Sequence, residues 1–185
     1  VISCIRSQEE AGIDIVTDGE QRRDNFYSYA VDKLAGMQLM KVSDLLDYAK
    51  DRARMEEVLR ALDVPAFAIK SPIVVGKLEK KQGLSLDELA FMKEHTNKQI
   101  KIPIPGPYML TRSSWFEGLS DKVYESAEEL SKDVVTILRE EVLALRDMGC
   151  DFIQFDEPIL SQTVFGEEST ETFMCAALPQ RRDPT

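Results

Sequence analysis

Ile13-Asp14-Ile15-Val16-Thr17-Asp18-Gly19-Glu20 is an apolar, β-branched run that stops abruptly at acids around a glycine. Near the other end of the chain, Phe152-Ile153-Gln154-Phe155-Asp156-Glu157-Pro158 repeats the pattern. A buried strand delivering carboxylates at its carboxyl end is how parallel α/β sheets present catalytic and ligand-binding groups. Burying such acids without a partner is costly, so each needs a reason to be there.

Between these strands the pattern alternates. A helix end at about residues 5–11 is closed by Gly12 as a left-handed cap, and the strand 13–17 follows. The spacing of Phe26, Ala30 and Leu34 predicts a helix over Glu20–Leu34, ended by Gly36. Ser43 is placed to cap a second helix, with Leu45, Leu46, Ala49, Met55, Val58, Leu59 and Leu62 as its apolar stripe. Residues 66–70 read as a strand, and Ile73-Val74-Val75 as a second short one. Ser85-Leu86-Asp87-Glu88 and Ser126-Ala127-Glu128-Glu129 both have the capping-box form, the first opening a helix to about Lys98, the second a helix to a Gly149 cap. Strands at 100–104 and 151–155 complete the series.

Strands alternating with helices of ten or more residues imply parallel βαβ units with right-handed crossovers, and about four can be counted. A (β/α)8 barrel needs eight, typically ~250 residues, whereas this chain has 185. Periodicity therefore leaves a small open sheet and part of a barrel both standing. The chain opens on Val1-Ile2-Ser3-Cys4 rather than Met, from which a fragment is expected.

Composition narrows the partners. A net charge of −10 argues against nucleic acid or an anionic membrane surface. Cys4, Cys150 and Cys175 are odd in number and widely spaced, which suits a reducing, cytoplasmic setting rather than a disulfide framework. No run approaches the ~18 apolar residues of a membrane helix. His95, the only histidine, stands beside Glu94 and Lys98 with no cluster at metal-ligand spacing. Cys150, directly after Gly149, is expected to pack under the sheet.

If the sheet is parallel, Asp18 and Glu20, Lys70, the Pro105-Gly106-Pro107 turn, and Asp156 and Glu157 share one rim. Gly19 and Gly106 give backbone room for sharp turns or close approach. Asp18 and Glu20 have a competing role at a helix start, where acids favour the dipole by about 0.3–1 kcal/mol. Pro158 restricts Glu157 to extended geometry. Trp115 is placed either to stack on a flat ligand or to close the core, and Arg112 suits a carboxylate or phosphate. Phosphate-cradling, nucleotide and cobalamin motifs are not seen, and neither is a Ser-His-Asp context.

The stretch from Gln8 through Glu20 to Arg23, then Ile104-Pro105-Gly106-Pro107, then Ile153-Gln154-Phe155-Asp156-Glu157-Pro158 resembles the catalytic domain of cobalamin-independent methionine synthase, over roughly residues 5–162. The resemblance implies a (β/α)8 barrel of the methionine synthase and uroporphyrinogen decarboxylase type, of which this chain carries about strands two to five. It implies methyl transfer to the thiol of homocysteine, the thiol being activated by zinc. It also implies that Glu20 and Asp156 hold the amino group of the amino acid.

The family's zinc ligands, a His-x-Cys pair with a later Glu and Cys, have no counterpart here, since Phe173-Met174-Cys175 lacks the histidine and comes early. Lys70 and Trp115 are the candidates for a methyl-donor pocket, but Phe67-Ala68 and Gln162 depart from the folate-dependent pattern. Residues 163–185 are read as a tail. Two rival readings stay open. In one, Asp156 and Glu157 bind magnesium in an aldolase-like barrel acting on keto acids. In the other, a truncated, inactive paralogue serves as an interaction module, self-associating through unclosed sheet edges.

Overall fold

Ile100, Ile102 and Ile104 form the apolar centre of a parallel sheet in the computed structural model, which describes residues 1–49, 52, 53, 56 and 70–160. Their strand, β4 (Gln99–Pro105), lies between β1 (Ile15–Val16) and β5 (Phe152–Asp156), parallel to both. Parallel strands covered on both faces are near-continuously apolar, and five of the seven β4 residues are buried. Among the described residues β1 and β5 each pair on one side only.

Helix α1 (Ile2–Glu10) leads into β1 through Gly12, whose φ of +77° is the expected left-handed cap. The Gln8 side chain extends this two-residue strand. Its Oε1 accepts from Thr17 N at 3.0 Å, and its Nε2 donates to Thr17 O at 2.7 Å. One amide thus pairs both backbone groups that β1 leaves open.

After β1 the chain departs from the expected Glu20–Leu34 helix. Turns occupy this stretch as far as Tyr29, followed by one helical turn, α2 (Ala30–Lys33), and then strand β2 (Leu34–Lys41). Asn25 contributes to the difference, its Oδ1 accepting from Tyr27 N two residues on, a turn geometry that competes with helix. Ala30 and Leu34 are fully buried in the main core even without the helix, whereas Phe26 packs partly buried beside Tyr27, Met109 and Ile159.

Strand β2 pairs antiparallel with β3 (Lys70–Lys80), forming a hairpin set apart from the parallel sheet. Met37, Gln38, Leu39 and Met40 are helix formers by propensity, and the β-branched partner Ile73-Val74-Val75 overrides them. Gly36 sits at a bulge with φ +83°, facing the Lys77 carbonyl so closely that no Cβ could fit. It bends a strand rather than ending a helix. Of the helix expected from Ser43 to Leu62, Asp44–Asp47 forms a 3-10 turn and Arg52, Ala53 and Glu56 are helical; residues 50, 51, 54, 55 and 57–62, and the strand start at 66–69, fall outside the described residues.

Helix α3 (Leu86–His95) precedes β4, α4 (Pro107–Ser114) follows it, and α5 (Ala127–Asp147) returns the chain to β5. Ser126 caps α5 as expected, its Oγ accepting from Glu129 N. Leu130, Val134, Ile137, Leu138 and Leu145 form the buried face of α5, each contributing about 1.5–3 kcal/mol by leaving water. Gly149, at φ +74°, turns the chain into β5 as expected, and Cys150 packs partly buried against the core. The architecture is α/β with parallel strands, consistent with part of a TIM-type barrel. The β2–β3 hairpin and α3 fill the crossover between β1 and β4. The 163–185 tail lies outside the described residues.

Candidate functional site

Glu20 is held in a conformation its residue type resists. Its φ is +54°, following Gly19 at +69°, and it is the only non-glycine with positive φ among the described residues. Such a backbone costs on the order of 1–3 kcal/mol and persists only where its surroundings enforce it. Asp18, fully buried, accepts the Glu20 N–H on Oδ1 at 2.9 Å, and Glu20 O receives Arg23 N at 3.0 Å. Beneath the loop, Cys4 Sγ lies 2.8 Å from where a Gly19 Cβ would stand, so the turn needs glycine for space as well as for φ. Asp18 thus braces the loop, not the helix start expected of it, since turns and no helix follow Glu20.

The Glu20 side chain meets Arg23 Nη1 at 3.1 Å and remains about 30% exposed. Burial raises its pKa above the ordinary carboxyl value, Arg23 opposes the rise, and the charges of Asp156, Asp18 and Glu88 add to it. Asp156, whose charge contributes to that rise, stands at the carboxyl end of β5. Its Oδ1 accepts from Gln154 Nε2 at 2.6 Å, and its backbone carbonyl accepts from Gly106 N at 2.9 Å. Two partly buried carboxylates that feel each other's charge are suited to a cation.

Glu157 does different work from its neighbour. Its Oε1 accepts from Tyr108 N at 2.8 Å and its Oε2 from Met109 N at 2.8 Å, so the carboxylate closes the N-terminus of α4. Acid at a helix start is favoured by the helix dipole. Burial pushes its pKa up while these two N–H groups pull it down. Gly106 has to be glycine because a Cβ there would fall inside the Glu157 carboxylate. The Gly-Pro turn, α4 and the Asp-Glu pair are locked together by these contacts, and Glu157 is turned onto α4 instead of pairing with Asp156 as a magnesium ligand.

Lys70 is not on the rim where the sequence placed it. It opens the antiparallel β3, is exposed, and pairs in register with Lys41. Trp115 ends α4 and packs half-buried against the core, the core-closing role. Arg112 lies in the last turn of α4. Neither Lys70 nor Trp115 makes a hydrogen bond or ion pair with Glu20 or Asp156.

The residue that sequence reasoning missed is Arg23. Its side chain is 2% exposed and is gripped from four directions. Glu88 of α3 takes Nε at 2.7 Å and also Nη2; Ser85 Oγ lies 3.2 Å and Pro103 O 2.9 Å from Nη2; the guanidinium sits 4.2 Å from the Tyr29 ring centroid. The expected capping box at Ser85–Glu88 is spent on this arginine. The Ser85 side chain caps nothing on α3, and Ser85 N donates instead to the buried Glu141 Oε1 at 2.7 Å. Glu141 is balanced in turn by Lys80 at 2.9 Å. A buried acid at Glu88 and a basic pair at Arg22-Arg23 were the available signals.

The described residues do not fit a zinc ion. No three His, Cys, Asp or Glu side chains among them come together as a metal site. His95 binds the Phe91 carbonyl through Nδ1 and stacks on its ring at 4.0 Å. Cys4 lies under the Gly19 turn, and Cys150 Sγ donates to Phe152 O at 3.1 Å. Cys175 is outside the described residues. No helix among the described residues is long and apolar enough to cross a membrane.

Comparison with known proteins places the chain in a family. Residues 1–179 match the family model described as the catalytic domain of cobalamin-independent synthase. A methionine synthase of Thermococcus kodakarensis is 35% identical over 160 residues, which cover 86% of this chain and 41% of that protein. A 5-methyltetrahydropteroyltriglutamate–homocysteine methyltransferase of Vibrio cholerae is 25% identical over 162 residues, 88% of this chain and 18% of that protein. A B12-independent methionine synthase from Shewanella sp. W3-18-1, solved in complex with selenomethionine, superposes with a TM-score of 0.61 at 26% identity, over 89% of this chain and 43% of that one. The chain thus spans about two fifths of the length of the archaeal relative. By these matches and by its fold, the chain belongs to the cobalamin-independent methionine synthase family, in its catalytic domain.

Proposed function

We propose that this chain supplies the amino-acid-holding half of a methyltransferase that moves a methyl group onto the sulfur of homocysteine, giving methionine. The observation that carries the proposal is the placing of Glu20 just after β1 and of Asp156 at the end of β5, the two parallel neighbours of β4, with the charge of Asp156 felt at Glu20. An ammonium relieves the mutual repulsion of the two acids and gives each a charge-assisted hydrogen bond. The names of the relatives support homocysteine as acceptor, and the selenomethionine complex of the Shewanella protein supports a methionine-shaped occupant.

In this mechanism the chain's own residues bind and orient. Glu20 and Asp156 fix the α-amino group, and the acceptor's sulfur is thereby placed at a set distance from the acid pair. The donor–methyl bond breaks as the carbon–sulfur bond forms, and the thiol proton ends on the donor atom that has kept the bonding pair. Among the described residues no group of His, Cys, Asp or Glu side chains forms a zinc site. Positioning alone reduces the entropic part of such a barrier.

Isothermal calorimetry of methionine against the chain tests the acceptor side. Saturable binding that weakens at least tenfold in Glu20→Gln is expected. Absence of binding, or equal binding by the variant, contradicts it.

A further inference from the structure

We infer that Arg23, clamped by Glu88, is a positioning residue that aims the Glu20 carboxylate at the substrate amino group. The inference rests on the proposed role of Glu20. Its basis is the chain of contacts from α3 to the strained loop. Glu20 has a left-handed backbone, and two groups hold it: Asp18 on its N–H and Arg23 on its carboxylate. Arg23 cannot wander, because Glu88, Ser85, Pro103 and Tyr29 occupy the rest of its guanidinium.

This arrangement is expensive as pure scaffolding. Burying an arginine–glutamate pair often contributes no more than apolar packing of the same volume, so retention of such a pair is best explained by what it aligns. The planar fork of the guanidinium is suited to the task. Glu88 takes one edge through Nε and Nη2, which leaves Nη1 pointing at Glu20. Lysine at this position keeps the charge but cannot grip both acids in fixed directions.

The test compares methionine with 4-(methylthio)butanoate, which lacks only the amino group, by calorimetry on the full chain. Wild type, Glu88→Gln and Arg23→Lys are used after thermal melts confirm folding. The expected result is that methionine affinity falls about tenfold in each variant while that of the des-amino analogue changes less than twofold. Preference for the amino group then collapses. Equal weakening of both ligands would show a merely structural role and overturn the inference, and so would unchanged preference.

A second readout needs no ligand. The Glu20 carboxyl is followed by carbon-13 NMR in wild type and Arg23→Lys, and its titration midpoint and chemical shift are expected to move when the fork is lost. An unmoved signal overturns the positioning role. Failure of the wild type to bind methionine, with the NMR shift present, would instead reject the proposed amino-acid site and leave Arg23 as the residue that holds Glu20.

Discussion

Asp156 raises the proton affinity of Glu20 although the two carboxylates come from strands that do not touch, β5 and β1, separated by β4. The sheet brings together two acids that repel each other, and an ammonium between them removes the repulsion. Neutralising Asp156 therefore has a measurable consequence in the free protein. In Asp156→Asn the Glu20 pKa is expected to fall, because a like charge has been removed. A carbon-13 titration of the Glu20 carboxyl checks the direction.

The raised pKa of Glu20 also sets a pH window. The ionised form holds the ammonium and protons compete for it, so methionine affinity is expected to fall as pH drops, beginning above the ordinary glutamate value of 4.5. Linkage gives the opposite sign for stability. A carboxyl whose folded pKa is raised contributes stability below its unfolded pKa and loses that contribution as pH rises through the folded value. Calorimetric affinity and denaturation midpoints measured from pH 4 to 7, a range of about three units around this window, separate the two effects.

Glu20 pays for its geometry with backbone strain, and the strain can be relieved. Asparagine accepts the left-handed region far more readily than glutamate does. Glu20→Asn is expected to be at least as stable as wild type in urea denaturation while losing methionine binding. Destabilisation of 2 kcal/mol or more, about the scale of a lost structural cap, would show that Glu20 serves the fold rather than a ligand.

Glu157 is expected to behave in the reverse way. Removing a carboxylate that satisfies the Tyr108 and Met109 N–H groups takes away the cap of α4. Glu157→Ala is expected to lower stability by about 1–2 kcal/mol, and Gly106→Ala to do the same by driving a Cβ into that carboxylate. Denaturant midpoints at constant slope read both effects.

Much of this was legible in the residues, for physical reasons that can be named. The central β4 stood out because a parallel strand buried on both faces is near-continuously apolar, and the acids after Ile15–Val16 and Phe152–Phe155 stood out because each ends an apolar run abruptly, although β5 is largely exposed among the described residues. The long α5 was legible through its cap, its stripe and Gly149. The β2–β3 hairpin was not, because Met, Gln and Leu carry helical propensity and the pairing that overrides it is decided by a distant segment. Ser85–Glu88 shows the limit of a local motif. The four residues match a capping box, yet Arg23, far away in sequence, draws off both the hydroxyl and the carboxylate. Glu20 and Asp156 were readable as strand-end acids, whereas the support that Arg23 gives Glu20 arises only from tertiary contact.

The central claim is that Glu20 and Asp156 act together on one amino group, and a double-mutant cycle on methionine binding tests it most directly. Calorimetry of wild type, Glu20→Gln, Asp156→Asn and the double variant is expected to show each single change costing about tenfold or more in affinity, and the double change costing clearly less than the product of the two, because both acids serve the same ammonium. Losses that multiply independently, or single variants that bind methionine as wild type does, would contradict the account.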